Sequence, residues 1–388
     1  MPCFSVNYFC SHWVIKISKM PQRRLIAVLA VFVSVASLSA AQTQVPTLRS
    51  QSNVVLAPTL VIKKSGEIVH GLSTKDFILE DNGMEQEIRL DDTPDAEPIS
   101  LVVAVQNGGS ANLQFDSTSD QPSALDNPNR ERRKSSNASL NGLGTMVEGF
   151  LGETKSEVAV VTFDNRVALF QDFTEDVPAT AKKLRELKGS GHYGAAILDA
   201  VSYSLDLLER RPKGRTRVLL LISENLDHGS VSKLDQVVQR VTLSNTLIYS
   251  VAFSPLRAEV VRDLKGQNPE PANVGRDPNY HQPTATIDLP KMLFMATNAM
   301  RKNTARAIAN LSGGEYSTFK NKRTFDGNLV ALTNHVRNRY LLSFQPKNPQ
   351  PGLHLISVRL RVPQRDIIVL ARNSYWVSAV VAGEIPSR

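Results

Sequence analysis

Residues 100–105, Ser-Leu-Val-Val-Ala-Val, are apolar without interruption after Ser100. A strand with one wet face would alternate, so a run of this kind is what a parallel strand buried on both faces requires. Similar runs recur at Glu157–Phe163, 217–223 and Thr246–Phe253. Between them, residues 140–151, 177–187, 195–210 and 231–243 carry apolar side chains at three- and four-residue spacing, the period of an amphipathic helix. Strand and helix therefore alternate, and the fold class predicted over 98–338 is α/β with a doubly wound, mostly parallel sheet. Ligands in such a sheet are expected beyond the carboxyl ends of the strands.

Outward from this core, the pattern changes at both ends. Residues 54–63 alternate and are β-branched, and Lys64-Ser65-Gly66 turns them into 68–70 as a hairpin. Ser73-Thr74-Lys75-Asp76 reads as a capping box, and 77–80 lead through Asp81-Asn82-Gly83 to a partner strand over 85–90. Two hairpins alone are marginal in water. The tail reverts to β character at 340–345, 355–362, 367–370 and 375–377. The N-terminal unit, 45–95, and the C-terminal strands, 339–380, are thus expected to pack as a small β-sandwich-like unit. One long amphipathic helix is expected over 291–311, stopped by Gly313-Gly314, with a strand at 315–319 and a helix at 325–337. The polar stretches 114–139 and 266–290 read as surface insertions.

The chain has 388 residues, 41% hydrophobic and 21% charged, with a formal charge of +8. That is a size for two or three domains. Met20-Pro21-Gln22-Arg23-Arg24, the apolar run 25–38 and Ser39-Ala40-Ala41 have the layout of a secretory signal, 1–41, cleaved after Ala41, with Met20 as an alternative start. The segment takes Lys16, Lys19, Arg23 and Arg24 with it, so the mature chain carries +4, and it removes both cysteines, Cys3 and Cys10. No disulfide framework, zinc finger or iron–sulfur site is then available. Later apolar stretches are too short to span a membrane as helices. The basic clusters 130–134 and 210–215 hold no interleaved aromatics, which argues against a nucleic-acid partner. A secreted or periplasmic location is expected, with a protein or cell-envelope ligand as partner.

Three segments carry a family resemblance: GEIVHGLSTKDFILEDNGMEQEI at 66–88, the series VVAVQNGGSA, VAVVTFDN, GAAILDAV and LLLISENLDHGS, and the ending RYLLSFQPKNPQPGLHLISVRLRVP with LARNSYWV. In this order they resemble the von Willebrand factor type A (VWA) fold, and more closely the secreted bacterial VWFA-related group. The resemblance implies an adhesion-type, non-enzymatic protein-interaction module. It also implies where a metal-ion-dependent adhesion site would lie: a DxSxS loop after the first strand, a Thr between early helices and an Asp after a later strand.

Laid on this chain, that pattern puts Gln106 at the first Asp, Gly108 and Ser110 at the two Ser positions, Ala195 at the Thr and Glu224 at the later Asp, with Asn107 and Asp227 on the same face. Magnesium asks for a near-octahedral set of hard oxygens. Only Ser110 and Glu224 keep a plausible ligand, since Gln106 has lost the charge and Gly108 and Ala195 present no side-chain oxygen, so the site is expected to be degenerate and without metal or other cofactor. Two alternatives stand beside this reading. One is a metal-dependent receptor with an irregular site, in which Glu224, Asp227 or Asp164 supplies oxygen. The other is an exported hydrolase built on Ser110, His192 and Asp227, although no G-x-S-x-G, H-E-x-x-H or phosphate-binding glycine motif occurs.

Overall fold

A computed structural model describes residues 54–91, 97–111, 141–151, 155–253, 289–319, 322–347 and 349–378. The signal segment, the insertion 114–139 and residues 266–288 of the second insertion lie outside these residues; the last two residues expected in that insertion, 289 and 290, instead begin a helix. Six strands form the central sheet: β5 (Ile99–Gln106), β6 (Glu157–Phe163), β7 (Val167–Thr174), β8 (Thr216–Ser223), β9 (Thr246–Phe253) and β10 (Tyr316–Phe319). Their spatial order is β10-β9-β8-β5-β6-β7, parallel throughout except for the antiparallel edge strand β7.

Every residue of β5 is buried, and the two faces serve different cores. Leu101, Val103 and Val105 pack with α1 (Asn141–Leu151), α2 (Val177–Arg185) and α7 (Lys322–Arg337) through Leu143, Leu184 and Phe325. Val102 and Ala104 face α3 (Ile197–Glu209), α4 (Leu234–Leu243) and α6 (Thr304–Ser312) through Ile197, Val237 and Ile308. The side-chain period of two thus drives both faces of one strand into helices, which explains the unbroken hydrophobicity.

The strand β7 is absent from the expectations above. It is half exposed, with Leu169 and Phe170 facing water, so neither continuous burial nor clean alternation marks it. The long helix expected over 291–311 is instead two helices, α5 (Leu289–Lys302) and α6. Asn303 separates them: its backbone is extended, and its side chain accepts from Arg306 N at 2.9 Å as the N-cap of α6. An N-cap satisfies one of the amide groups that a helix start leaves open. Apolar spacing continues across the break, from Met300 to Ile308, and conceals it.

Outside the central sheet, β1 (Val55–Lys63), β4 (Ile88–Asp91), β11 (Tyr340–Phe344) and β13 (Ile367–Ala371) form a four-stranded sheet in the order β13-β1-β11-β4. A second, β14-β12-β2-β3, comprises β2 (Phe77–Asp81), β3 (Met84–Glu85), β12 (Gly352–Leu360) and β14 (Ser374–Val377). Ala57, Val61, Phe77, Leu79, Leu342, Phe344, Ile356 and Tyr375 fill the space between them. The expected partner strand over 85–90 is divided, since β3 and β4 belong to different sheets. Ser73 and Asp76 form the capping box on a single 3-10 turn. Both sheets mix strands from the two ends of the chain, so neither end has a sheet without the other.

Candidate functional site

Gln106 ends β5 and Glu224 follows β8, its neighbour in the sheet, so both lie at the carboxyl edge. Gln106 is fully buried. Its Nε2 donates to Glu224 Oε1 at 2.9 Å and to the Gly108 carbonyl at 3.1 Å, while its Oε1 accepts from Glu224 N at 2.8 Å. Ser110 Oγ donates to the same Glu224 Oε1 at 2.5 Å, and Ser110 N approaches it at 3.3 Å. One carboxylate oxygen therefore receives three donors from the chain. A buried carboxylate held this way is satisfied without a counter-ion.

Gly108 has a steric reason to be glycine. A Cβ at that position would lie 2.3 Å from Asp164 Cβ, and the His192 carbonyl is 3.0 Å away. Gly109 follows in the left-handed region at φ +61° and donates from its amide to His192 O at 2.7 Å. Asn107 is held by its backbone, to Phe163 O at 2.9 Å and from Ser190 N at 2.7 Å. Ala195 is buried and exchanges two backbone hydrogen bonds with His228, at 3.0 and 2.9 Å. Neither Gly108 nor Ala195 has room or oxygen for a metal.

The loop after β8 is anchored by two carboxylates. Asp227 Oδ1 accepts from Leu198 N at 3.0 Å and from Ser230 Oγ at 2.5 Å, and Asp227 N donates to Thr304 Oγ1 at 3.1 Å. Asp199, in the first turn of α3, accepts from Val231 N at 2.9 Å and Ser232 N at 2.8 Å. Burial opposes the Asp199 charge, but the Ser232 hydroxyl and the amides of Val231 and Ser232 outweigh it and hold the carboxyl below its usual pKa. Asn225 Oδ1 accepts from Tyr316 OH at 2.6 Å. Asp199, Thr304 and Tyr316 escape sequence reasoning because their partners come from other elements; only the acidic residue in a first helical turn is a visible signal.

These anchors leave apolar side chains outside. Val231 is 91% exposed, Tyr193 88%, and Leu226 is also exposed. The Ala195–His228 bridge brings the segments bearing Tyr193 and Leu226 side by side.

The mostly parallel sheet with helices on both faces matches the fold that the family resemblance implies. The fold is VWA-like. No protein-family model matches the sequence, and no curated protein does. Solved structures similar to this VWA-like chain include an aerotolerance-related membrane protein from Bacteroides fragilis, 11% identical over 61% of this chain and 98% of that one, with a TM-score of 0.35. Another is the vWF domain of the type V pili tip protein Mfa5 from Porphyromonas gingivalis, 14% identical over 34% of this chain and 39% of that one, TM-score 0.25. Proximal thread matrix protein 1 from the mussel byssus is 11% identical over 67% of this chain and 51% of that one, TM-score 0.39.

The VWA site implies magnesium, and the residues present do not fit it. A hard cation needs free oxygen lone pairs in octahedral array. Here Glu224 Oε1 is taken by three donors, the Gln106 amide nitrogen points at it, and two further ligand positions are Gly108 and Ala195. Among the described residues no group of three or more His, Asp or Glu side chains converges as a metal cluster. Nor does the hydrolase trio assemble as a relay: Ser110 Oγ donates to Glu224, and Asp227 Oδ1 serves Leu198 and Ser230. No helix of the described residues is long and apolar enough to cross a membrane.

Proposed function

We propose that this chain is an exported, non-enzymatic protein-interaction module of the adhesion type, which binds its partner through a metal-free carboxyl-edge face. The observation that carries the reading is the Gln106–Glu224–Ser110 network, in which protein donors occupy the carboxylate that a cation would need. Tyr193, Leu226 and Val231, on the segments joined by the Ala195–His228 bridge and on the loop after β8, are large side chains left exposed. Exposed apolar groups among polar ones are the material of protein contacts. Export is supported by the signal-like segment 1–41.

Calorimetry with magnesium, calcium and manganese tests the metal-free part. No micromolar binding is expected; micromolar binding that disappears in Glu224→Ala overturns it. The face is tested by affinity capture from cell-envelope extract in the presence of chelator. A partner retained by the wild type and lost by Tyr193→Ala/Val231→Asp is expected, and capture unaffected by both changes sinks the assignment of this face.

A further inference from the structure

The two sheets of the β unit part between β12 and β13. A cleft of about 850 Å³ opens between β13 and residues 357–360 of β12, floored by α6 and by residues 314–316. That volume is within the range of ligand sites. Both walls are strand edges. Among the described residues, β13 pairs with β1 alone and ends its sheet. The β12 strand pairs with β14 only over Gly352–Leu355, so residues 357–360 have β2 on one side and the cleft on the other.

The alternation of an antiparallel ladder identifies which groups of β13 face the cleft. Lys63 N donates to Glu67 O and Val69 N donates to Val61 O, so the odd residues of β1 direct their amides and carbonyls away from β13. Leu60 and Ile62 then bond to their register partners Leu370 and Ile368. Val369, between these two, turns its N–H and C=O outward into the cleft. An edge of this kind is a template for another extended chain.

The cleft is also basic. Lys64, Arg306, Arg359 and Arg365 line it, with Arg359 paired to Glu80 at 3.0 Å, against one lining carboxylate, Glu315. Glu315 is itself held by Arg339 at 2.9 Å and His335 at 2.7 Å. Arg306 is fixed over the Tyr316 ring, 4.6 Å from its centroid, while Lys64 and Arg365 are exposed at the mouth.

We propose that this cleft binds an acidic, extended peptide segment of a partner protein, which adds as a strand to the open edge of β13. Backbone pairing at Val369 holds the segment, and the cationic walls select acidic side chains. This site is separate from the carboxyl-edge face and stands whether or not that face binds a protein.

The test uses the full chain and three labelled octapeptides in fluorescence anisotropy at low salt. One alternates Glu and Val, one alternates Lys and Val, and the third is the Glu-Val peptide with every second backbone nitrogen methylated. The first is expected to bind saturably, and the other two at least tenfold more weakly. Val369→Pro removes the outward N–H at an edge position where proline is tolerated, and Lys64→Glu/Arg365→Glu reverses two exposed charges. Each is expected to lower the affinity at least tenfold with an unchanged circular dichroism spectrum. If Val369→Pro perturbs folding, the methylated peptide and the charge reversals still decide. Absence of saturable binding, equal binding of the Lys-Val or methylated peptide, or unchanged binding to the charge-reversed or the folded proline variant overturns the proposal. So does a concentration-dependent dimer in sedimentation equilibrium that Val369→Pro abolishes, because a second copy would then occupy the edge.

Discussion

Gln106 and Glu224 grip each other reciprocally: the amide nitrogen donates to the carboxylate at 2.9 Å, and the amide oxygen accepts from the Glu224 backbone at 2.8 Å. The pair ties the ends of adjacent parallel strands at a site where the resemblance implies a cation between two acids. An uncharged donor replaces both the first acid and the ion.

Replacing Gln106 with Asp tests that substitution of roles. The variant loses the donor to Glu224 and Gly108 and sets two carboxylates together in a buried place. At pH 8 the loss of stability should be about 3 kcal/mol, from unsatisfied acceptors and like-charge repulsion. The repulsion raises the pKa of the pair in the folded state, so the deficit should shrink as pH falls toward 4.5. Urea unfolding at the two pH values measures it. An equal deficit at both pH values would contradict the like-charge pairing on which this prediction rests.

Gly108→Ser would supply the missing hydroxyl and should damage the fold. Its Cβ would have to occupy space 2.3 Å from Asp164 Cβ, a backbone-near atom that cannot swing away. Overpacking of this kind costs about 1–3 kcal/mol. The double variant Gly108→Ser/Asp164→Gly removes the obstructing atom and should recover part of the loss in thermal unfolding. Equal stabilities for the single variant and the wild type would show that the contact is not what keeps the position glycine.

A buried titratable cluster lies in the β unit. His354 Nδ1 is 3.0 Å from Asp81 Oδ1 and Nε2 is 2.7 Å from Gln350 O, while Tyr375 OH donates to Asp81 Oδ2 at 2.7 Å. Burial works against the imidazolium, but the hydrogen bond and charge of Asp81 and the Gln350 carbonyl prevail, and the His354 pKa is raised. Burial and Asp81 push Tyr375 upward, so it stays neutral. A raised folded-state pKa gives stability that is fully present below the unfolded value of about 6.5 and is lost as pH rises through the folded value. Wild-type stability should therefore decline as pH rises above about 6.5, and His354→Gln should flatten that slope. Chemical unfolding at half-unit pH steps gives the comparison, with an unchanged slope in the variant as the adverse result.

The legible parts of this fold are those where one residue's neighbours in sequence share its fate. Val102 and Val103 face opposite cores yet are both buried, so β5 announces itself. The break at Asn303 does not, because packing keeps its period on either side of a cap. At the site, motif register places Gln106 and Glu224 together, since one ends a buried strand and the other follows its neighbour. It does not reveal that the pair is a donor and an acceptor facing each other, or that Asp164 closes the space beside Gly108. The His354–Asp81 contact spans 273 residues of chain and has no local signature. Interactions made across elements are set by packing geometry, which periodicity does not encode.

Arg372 provides the last test, because it joins the β unit to the α/β domain from within. Its side chain is buried, and burial draws its pKa down to about 10, which still leaves it charged at neutral pH. Nε donates to Ser374 O at 2.6 Å, Nη1 to Asn245 Oδ1 at 3.3 Å and Nη2 to the Thr242 carbonyl at the end of α4. Arg372→Met would fill the space but leave the Ser374 and Thr242 carbonyls without this donor, at a cost of about 3 kcal/mol. Arg372→Lys keeps the charge without the planar fork and should recover less than half of that. If the loss acts at the junction, hydrogen exchange in the lysine variant should quicken at β14 and α4 before it changes in β5. Uniform acceleration across all three would place the role of Arg372 in global stability instead of in the junction.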